Sequence, residues 1–311
     1  MKITTDWHVH SRHSCECHQM GSPIADILAA AAAQGVADMG ISDHLHSRYN
    51  LPDLAASRLE FLSANPSPRV HFGVEVTCMR RWELDQIDAG NYAEPPIYGR
   101  GQDGPVSEPA IALTEADAAI LGIEYVIGGV HWARGIEPTP RAIIDFFHRQ
   151  LMYLAQHPLV RIIAHPWWWH NHFYYPDGSF VPGPWMDDFS VIPEDYHDEF
   201  AATCLDNGKA VEVSPWALSP SHGETFRNQY LDYLVELGSR GITLSAGTDH
   251  HGNPYNTNFS AIEMVLDRLR LSDRDLFRLR PRDHALGVPA ERLLAALDLR
   301  SDDLWTHHPA N

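Results

Sequence analysis

Lysine is nearly absent from this sequence. Lys2 and Lys209 are the only two, and 23 basic residues face 41 acidic ones. The formal net charge of −18 repels phosphate backbones at long range and argues against non-specific nucleic-acid binding. Bound cations would neutralise part of it. Cysteine is also scarce: Cys15, Cys17, Cys78 and Cys204. No basic stretch followed by an apolar run marks an export signal, so a cytoplasmic chain with free thiols is expected. No segment reaches the roughly 18 uninterrupted apolar residues of a membrane span. Internal repeats, low-complexity tracts and a convincing linker are missing as well.

Histidine is what the chain has in excess, with 20 residues, and neutral imidazole is the commonest metal ligand among side chains. The opening stretch "DWHVHSRHSCECH" alone holds His8, His10, His13, Cys15, Glu16, Cys17 and His18. A tag, a zinc knuckle or one corner of a larger site would each look like this.

Seven short apolar runs read as strands: "KITTDWHVH", "ADMGISDH", "VHFGVEV", "YVIGGVH", "RIIAHPW", "KAVEVSPW" and "TLSAGTDH". Most are nearly continuous, as strands buried on both faces are. Helical patterns alternate with them. "SPIADILAAAAAQG" offers Ser22 as N-cap, Pro23 at the first helical position and Gly35 as a stop. "PRAIIDFFHRQLMYLAQHP", "PEDYHDEFAATCLDNG" and "ETFRNQYLDYLVELGSRG" follow. Alternation predicts a parallel α/β sheet, open or closed into a barrel. Two connections are long, at about 77–120 and 167–192, and loops of that length usually serve as lids or binding loops. The expected organisation is one domain over 1–252 with a helical extension over 253–311.

Potential metal ligands fall at the ends of six of the seven runs. They are His8 and His10; Asp43 and His44; Glu75; His131; His165; and Asp249 with His251. If the strands close into a parallel barrel, these ends meet on one face, where barrel active sites lie. His8 and His10 sit two apart, so on a strand they share a face, and the same holds for Asp249 and His251. Imidazole with carboxylate suits zinc, iron or manganese. Each histidine alone reads as an ordinary hydrogen-bonded residue; the set reads as a metal centre, with Glu75 suited to bridging. Asp43 is a candidate to orient an imidazole or to cap a helix. His250 alternates away from its neighbours. His46, His170 and His172 read as loop residues.

This order of motifs, "HVH", "SDH", "GVE", "GGVH", "AHP" and "TDHH", resembles the PHP (polymerase and histidinol phosphatase) domain family over about residues 6–251. The resemblance implies a distorted (β/α)7 barrel and two or three divalent metal ions (Zn, Mn or Fe). It implies His8, His10, Glu75 and Asp249 around one ion; Glu75, His131 and His165 around a second; and His44 with His251 around a third. The third site needs one more ligand from the loop after His10. The family pattern places a histidine where this chain has Glu16; His18 is the other candidate and the one favoured. Cys15 and Cys17 are left as a weak separate soft site.

The implied chemistry is hydrolysis, with a metal-bridging hydroxide as nucleophile. Asp249 is the expected proton acceptor, and His251 or Asp43 would assist the leaving group. A phosphomonoester such as histidinol phosphate is the expected small-molecule substrate. Arg12 and Arg134 adjoin motif residues and are candidates for its phosphate; Arg48, Arg80, Arg81 and Arg100 lie in neighbouring loops. Trp167 and Trp168, with the aromatic run through Trp169, Phe173, Tyr174, Tyr175 and Trp185, would stack on an organic group or simply pack. The rivals are a hydrolase of the same fold acting on a non-phosphate ester, lactone or amide, and a non-catalytic binding barrel.

Overall fold

Val70–Thr77 is the longest strand, and all eight of its residues are buried. A run such as VHFGVEVT suits a strand covered on both faces. It lies inside a parallel sheet in a computed structural model, which describes residues 2–17, 20–91, 104–133, 135–137, 139–168, 184–281 and 286–304. The strands are β1 (Thr5–Asp6), β2 (Asp38–Ile41), β3 (Val70–Thr77), β4 (Tyr125–Gly129), β5 (Val160–Ile163), β6 (Ala210–Val213) and β7 (Leu244–Ala246). Each pairs in parallel with the next in sequence.

Beyond β7 the chain turns back onto the continuation of β1. The Trp7 amide donates to Ala246 at 2.9 Å, Asp249 to His8 at 2.8 Å and His10 to His250 at 2.9 Å. These bonds make a nearly closed barrel of seven parallel strands, the α/β fold expected. His44–Leu45 adds a short parallel pair on β3, with His44 opposite Glu75. Regular pairing thus ends short of several motif residues, and Glu75 stands inside β3 rather than at its end.

Helices fill the crossovers: α1 (Ile24–Gln34), α2 (Leu51–Ser63), α3 (Arg81–Asp88), α4 (Glu115–Leu121), α5 (Pro140–Gln156), α6 (Glu194–Asp206) and α7 (Glu224–Ser239). In α5, Thr139 caps the Ala142 amide, and Ile143, Ile144, Phe147, Leu151 and Leu154 form the buried face. Spacing of three and four residues puts them on one stripe. The start of α1 differs from expectation: Pro23 occupies the cap position, and the Ser22 hydroxyl turns to the Gly252 carbonyl, 3.3 Å away. The connection at 77–120 is not plain loop, because Leu84 and Ile87 bury α3 and Met79–Arg80 pairs with Pro109–Ala110.

After β7 come α8 (Ser260–Leu269) and α9 (Ala290–Ala296). This segment ties back to the barrel. Asp273 accepts from the Thr4 amide and hydroxyl, and the Phe277 carbonyl accepts from the Trp7 indole at 2.9 Å. No described helix is long and apolar enough to cross a membrane.

Candidate metal centre

The side chains at the C-terminal ends of the strands converge on Glu75. Its Oε2 lies 2.9 Å from His8 Nε2, 3.4 Å from His10 Nε2 and 3.0 Å from His44 Nδ1. Its Oε1 lies 3.0 Å from His131 Nε2 and 3.3 Å from His165 Nε2. Asp249 closes the other side, with Oδ1 3.4 Å from His8 Nε2 and 3.2 Å from His10 Nε2. His251 stacks on His10 at 4.1 Å between centroids, and its Nδ1 donates to the Asp249 carbonyl at 2.9 Å. Residues from all parts of the chain meet here because parallel strands deliver their ends to one face.

Burial opposes charge throughout this cluster, so the surviving charges are set by neighbours. Burial would raise Glu75, but His8, His44 and His131 outweigh it and hold its carboxyl well below the usual range. Asp249 is likewise held far below, against burial, by His8 and His251. Burial would lower His8, yet Glu75, Glu212 and Asp249 push it well above normal. Burial takes His131 down to about 4 despite Glu75.

These residues fit divalent cations, and the test lies in two buried nitrogens. His10 Nε2 and His44 Nδ1 make no hydrogen bond, although carboxylate oxygens stand 3.2 Å and 3.0 Å away. Nitrogens and oxygens that crowd one point without bonding each other are placed as ligands of a common ion are. Three overlapping sets have donor atoms within 4.8 Å of one another: His8, His10, Glu75 and Asp249; His44, Glu75 and His131; and His10, His44 and His251.

Two candidate ligands have backbones at positive φ. His165 has φ 27° and Asp249 has φ 50°, the left-handed region that L residues other than Asn and Asp seldom enter. Such conformations persist where surrounding bonds fix them. Here the Asp249 amide donates to His8 and the His165 amide to Glu212 Oε2 at 3.0 Å.

Glu212 was not anticipated. It lies in β6, the one strand without a proposed ligand, and its Oε1 is 2.6 Å from His8 Nδ1. Its signal was a lone carboxylate within the apolar run AVEV, the same pattern as Glu75 in GVEV. Gly247 makes room for it, since a Cβ there would stand 2.1 Å from Glu212 Oε1. Thr77, Ser14 and His46 also join the network. Ser14 Oγ is 3.1 Å from His10 Nδ1, and Thr77 Oγ1 is 2.8 Å from His131 Nδ1.

The loop after His10 brings Glu16 to the cluster, with Oε1 2.6 Å from His44 Nε2 and 3.6 Å from His251 Nε2. His18, the favoured candidate, lies outside the described residues, as do Arg134, Arg100, Trp169, His170, His172, Phe173, Tyr174 and Tyr175. Asp43 is spent elsewhere: it accepts from the Ser11 amide and hydroxyl and from Ser57, at 2.5–2.6 Å. It therefore organises the loop rather than an imidazole. Arg12 turns to Glu60 at 3.0 Å on the exposed side. Trp167 is fully buried in the core. Trp168 stays beside the cluster, 5.2 Å from His165 and donating to His222. His250 points away, to the Gly252 carbonyl.

The sequence matches no protein-family model and no curated protein. Among solved structures it is similar to a histidinol phosphate phosphatase from Lactococcus lactis subsp. lactis Il1403, crystallised with zinc, L-histidinol and phosphate. The TM-score is 0.57 at 16% identity, over 91% of this chain and 97% of that one. A Listeria monocytogenes protein proposed to be a histidinol phosphatase aligns with TM-score 0.49 at 11% identity, over 80% of this chain and 95% of that one. At such identities the first likeness shows the fold.

Proposed function

We propose that this protein is a metal-dependent phosphoesterase acting on a small phosphomonoester. The observation that carries the reading is the meeting of Glu75 and Asp249 with six imidazoles, those of His8, His10, His44, His131, His165 and His251, at the barrel mouth. Divalent cations held there supply an activated water and neutralise charge on a phosphoryl group. The resemblance of the motifs to the PHP family and the zinc, histidinol and phosphate in the Lactococcus structure support the same choice.

The two carboxylates take different parts. Glu75 is fully buried and serves to hold the centre together, while Asp249 keeps a little exposure, 5%. The Asp249 carboxylate is assigned as acceptor of the proton from the attacking water. His251, about a quarter exposed in its side chain, lies at the mouth, with Glu16 and His44 completing that corner. A cavity of about 370 Å³ adjoins the Asp249–His251 segment through Thr248 and His250, but none of the proposed ligands lines it, so it is not assigned to the substrate. Trp216, Asn256, Asn258 and Met264 line it, and the Trp216 indole is fixed on the Asp249 carbonyl at 2.9 Å.

One observation favours a second reading, hydrolysis of a non-phosphate ester, lactone or amide. Arg12 and Arg48 are engaged by Glu60 and Asp117 rather than offered to an anion.

The test is metal content per chain together with phosphate release from a panel of monoesters and diesters. Bound zinc, manganese or iron with release from monoesters supports the proposal. Metal-loaded protein that hydrolyses carboxylic esters and no phosphoester moves the assignment to the second reading. Protein that stays metal-free and inactive after reconstitution removes both.

A further inference from the structure

The two carboxylate oxygens of Glu16 keep different company. Oε1 faces His44 and His251. Oε2 lies 2.6 Å from the Cys15 sulfur. A ring nitrogen of His46 joins the pair, so that a sulfur, a carboxylate oxygen and an imidazole nitrogen stand within 4.8 Å of one another. Cys15 is 5% exposed and His46 3%.

His46 is oriented as metal-binding imidazoles are. Its Nδ1 is 2.6 Å from Thr77 Oγ1, which leaves Nε2 for the Cys15–Glu16 side. The same hydroxyl stands 2.8 Å from His131 Nδ1, and His131 Nε2 faces Glu75 at 3.0 Å. One hydroxyl thus backs two imidazoles, that of His131 facing Glu75 and that of His46 grouped with Cys15 and Glu16. A partner on the remote nitrogen is what fixes tautomer and aim in ligating histidines. The buried thiol donates to the Glu16 carboxylate on this side. A cation bound here would take the place of the thiol proton, because a ligating thiol is deprotonated.

We propose that Cys15, Glu16 and His46 form a further cation site, of the thiolate–carboxylate–imidazole type that suits zinc. Glu16 is shared between this site and the His44–His251 corner, as Glu75 is shared among the other positions. On binding, the Cys15 proton passes to solvent and the sulfur lone pair makes the bond to the cation; nothing is oxidised. The site uses donors outside the His8–His10–Glu75–Asp249 set and stands apart from the choice of substrate.

The experiment is cobalt(II) substitution of the intact chain, followed by absorption spectroscopy. Wild-type protein should show the intense near-ultraviolet sulfur-to-cobalt charge-transfer band alongside the weak visible bands of the other sites. Cys15→Ser should abolish the charge-transfer band and lower the bound cobalt, His46→Gln should weaken or shift it, and Cys17→Ser and Cys78→Ser should leave it. Visible cobalt bands without a sulfur band in wild type overturn the site, as does a band that survives Cys15→Ser. If Cys15→Ser does not fold, X-ray absorption at the zinc edge of the zinc-loaded wild type decides. A sulfur shell near about 2.3 Å supports the site and its absence removes it. Phosphate release with no sulfur signal would leave the phosphoesterase reading standing and remove this one alone.

Discussion

Glu212 Oε1 and His8 Nδ1 lie 2.6 Å apart, both buried. The contact keeps a proton on His8 Nδ1 and aims Nε2 toward Glu75 and Asp249. Glu212→Gln keeps the shape but weakens this acceptor, so metal affinity should fall by roughly 10–100-fold with the fold intact. Gly247→Ala should act in the same direction, because its Cβ would stand 2.1 Å from Glu212 Oε1. Chelator competition measures both. Unchanged affinity in Glu212→Gln would show that the contact is structural only.

Glu75→Gln removes the charge around which five imidazoles gather, those of His8, His10, His44, His131 and His165. More than one metal position should weaken together, and hydrolysis should drop by roughly a hundredfold or more. Elemental analysis beside the rate checks it. Loss of a single ion with full activity would contradict the bridging role.

Zinc uptake should release protons. Burial would lower His251, but Asp249 and Glu16 raise it to about 9, so at neutral pH an incoming ion must displace its proton. The apparent affinity therefore rises with pH up to about 9. Calorimetry in buffers of different ionisation enthalpy reads the released protons. Uptake without proton release would contradict the protonated apo state.

His197 should make the protein acid-sensitive away from the metal centre. Burial, with Arg240 nearby, takes its pKa down to about 4, against 6.5 when unfolded. The unfolded chain then binds more protons between these values, so stability is full above about pH 6.5 and is lost as pH falls toward 4. The loss approaches roughly 2 kcal/mol after allowing for partial exposure. Urea midpoints at pH 7 and 5 should differ less in His197→Gln. An equal difference would assign the acid loss to other groups.

Tyr255 should matter to the barrel seam. Its hydroxyl donates to Asp6 Oδ2 at 2.7 Å, and Asp6 also accepts from the Thr248 amide and hydroxyl. Tyr255→Phe leaves one buried acceptor short and should cost about 1–2 kcal/mol, read as a lower melting temperature. A neutral substitution would show that water or Thr248 takes over.

The strands and the metal-capable residues were legible because both are local. A buried parallel strand has an apolar run as its own signature, and His8, His10, Glu75, His131, His165 and Asp249 interrupt or end such runs. Glu212 carries the same signature, but its run ends in SPW and not in a histidine. Asp43 and Arg12 looked functional by adjacency alone. Their partners, Ser11, Ser57 and Glu60, are chosen by the path of a loop, which spacing along the chain does not encode. Trp167 shows the same limit, since its left-handed backbone (φ 62°) turns the ring into the core. By itself the sequence determined the succession of seven strands and the kind of donor in or after six of them, through periodicity and residue type. The tertiary structure alone decided which oxygen meets which nitrogen, because those choices depend on side-chain directions set by closure of the barrel.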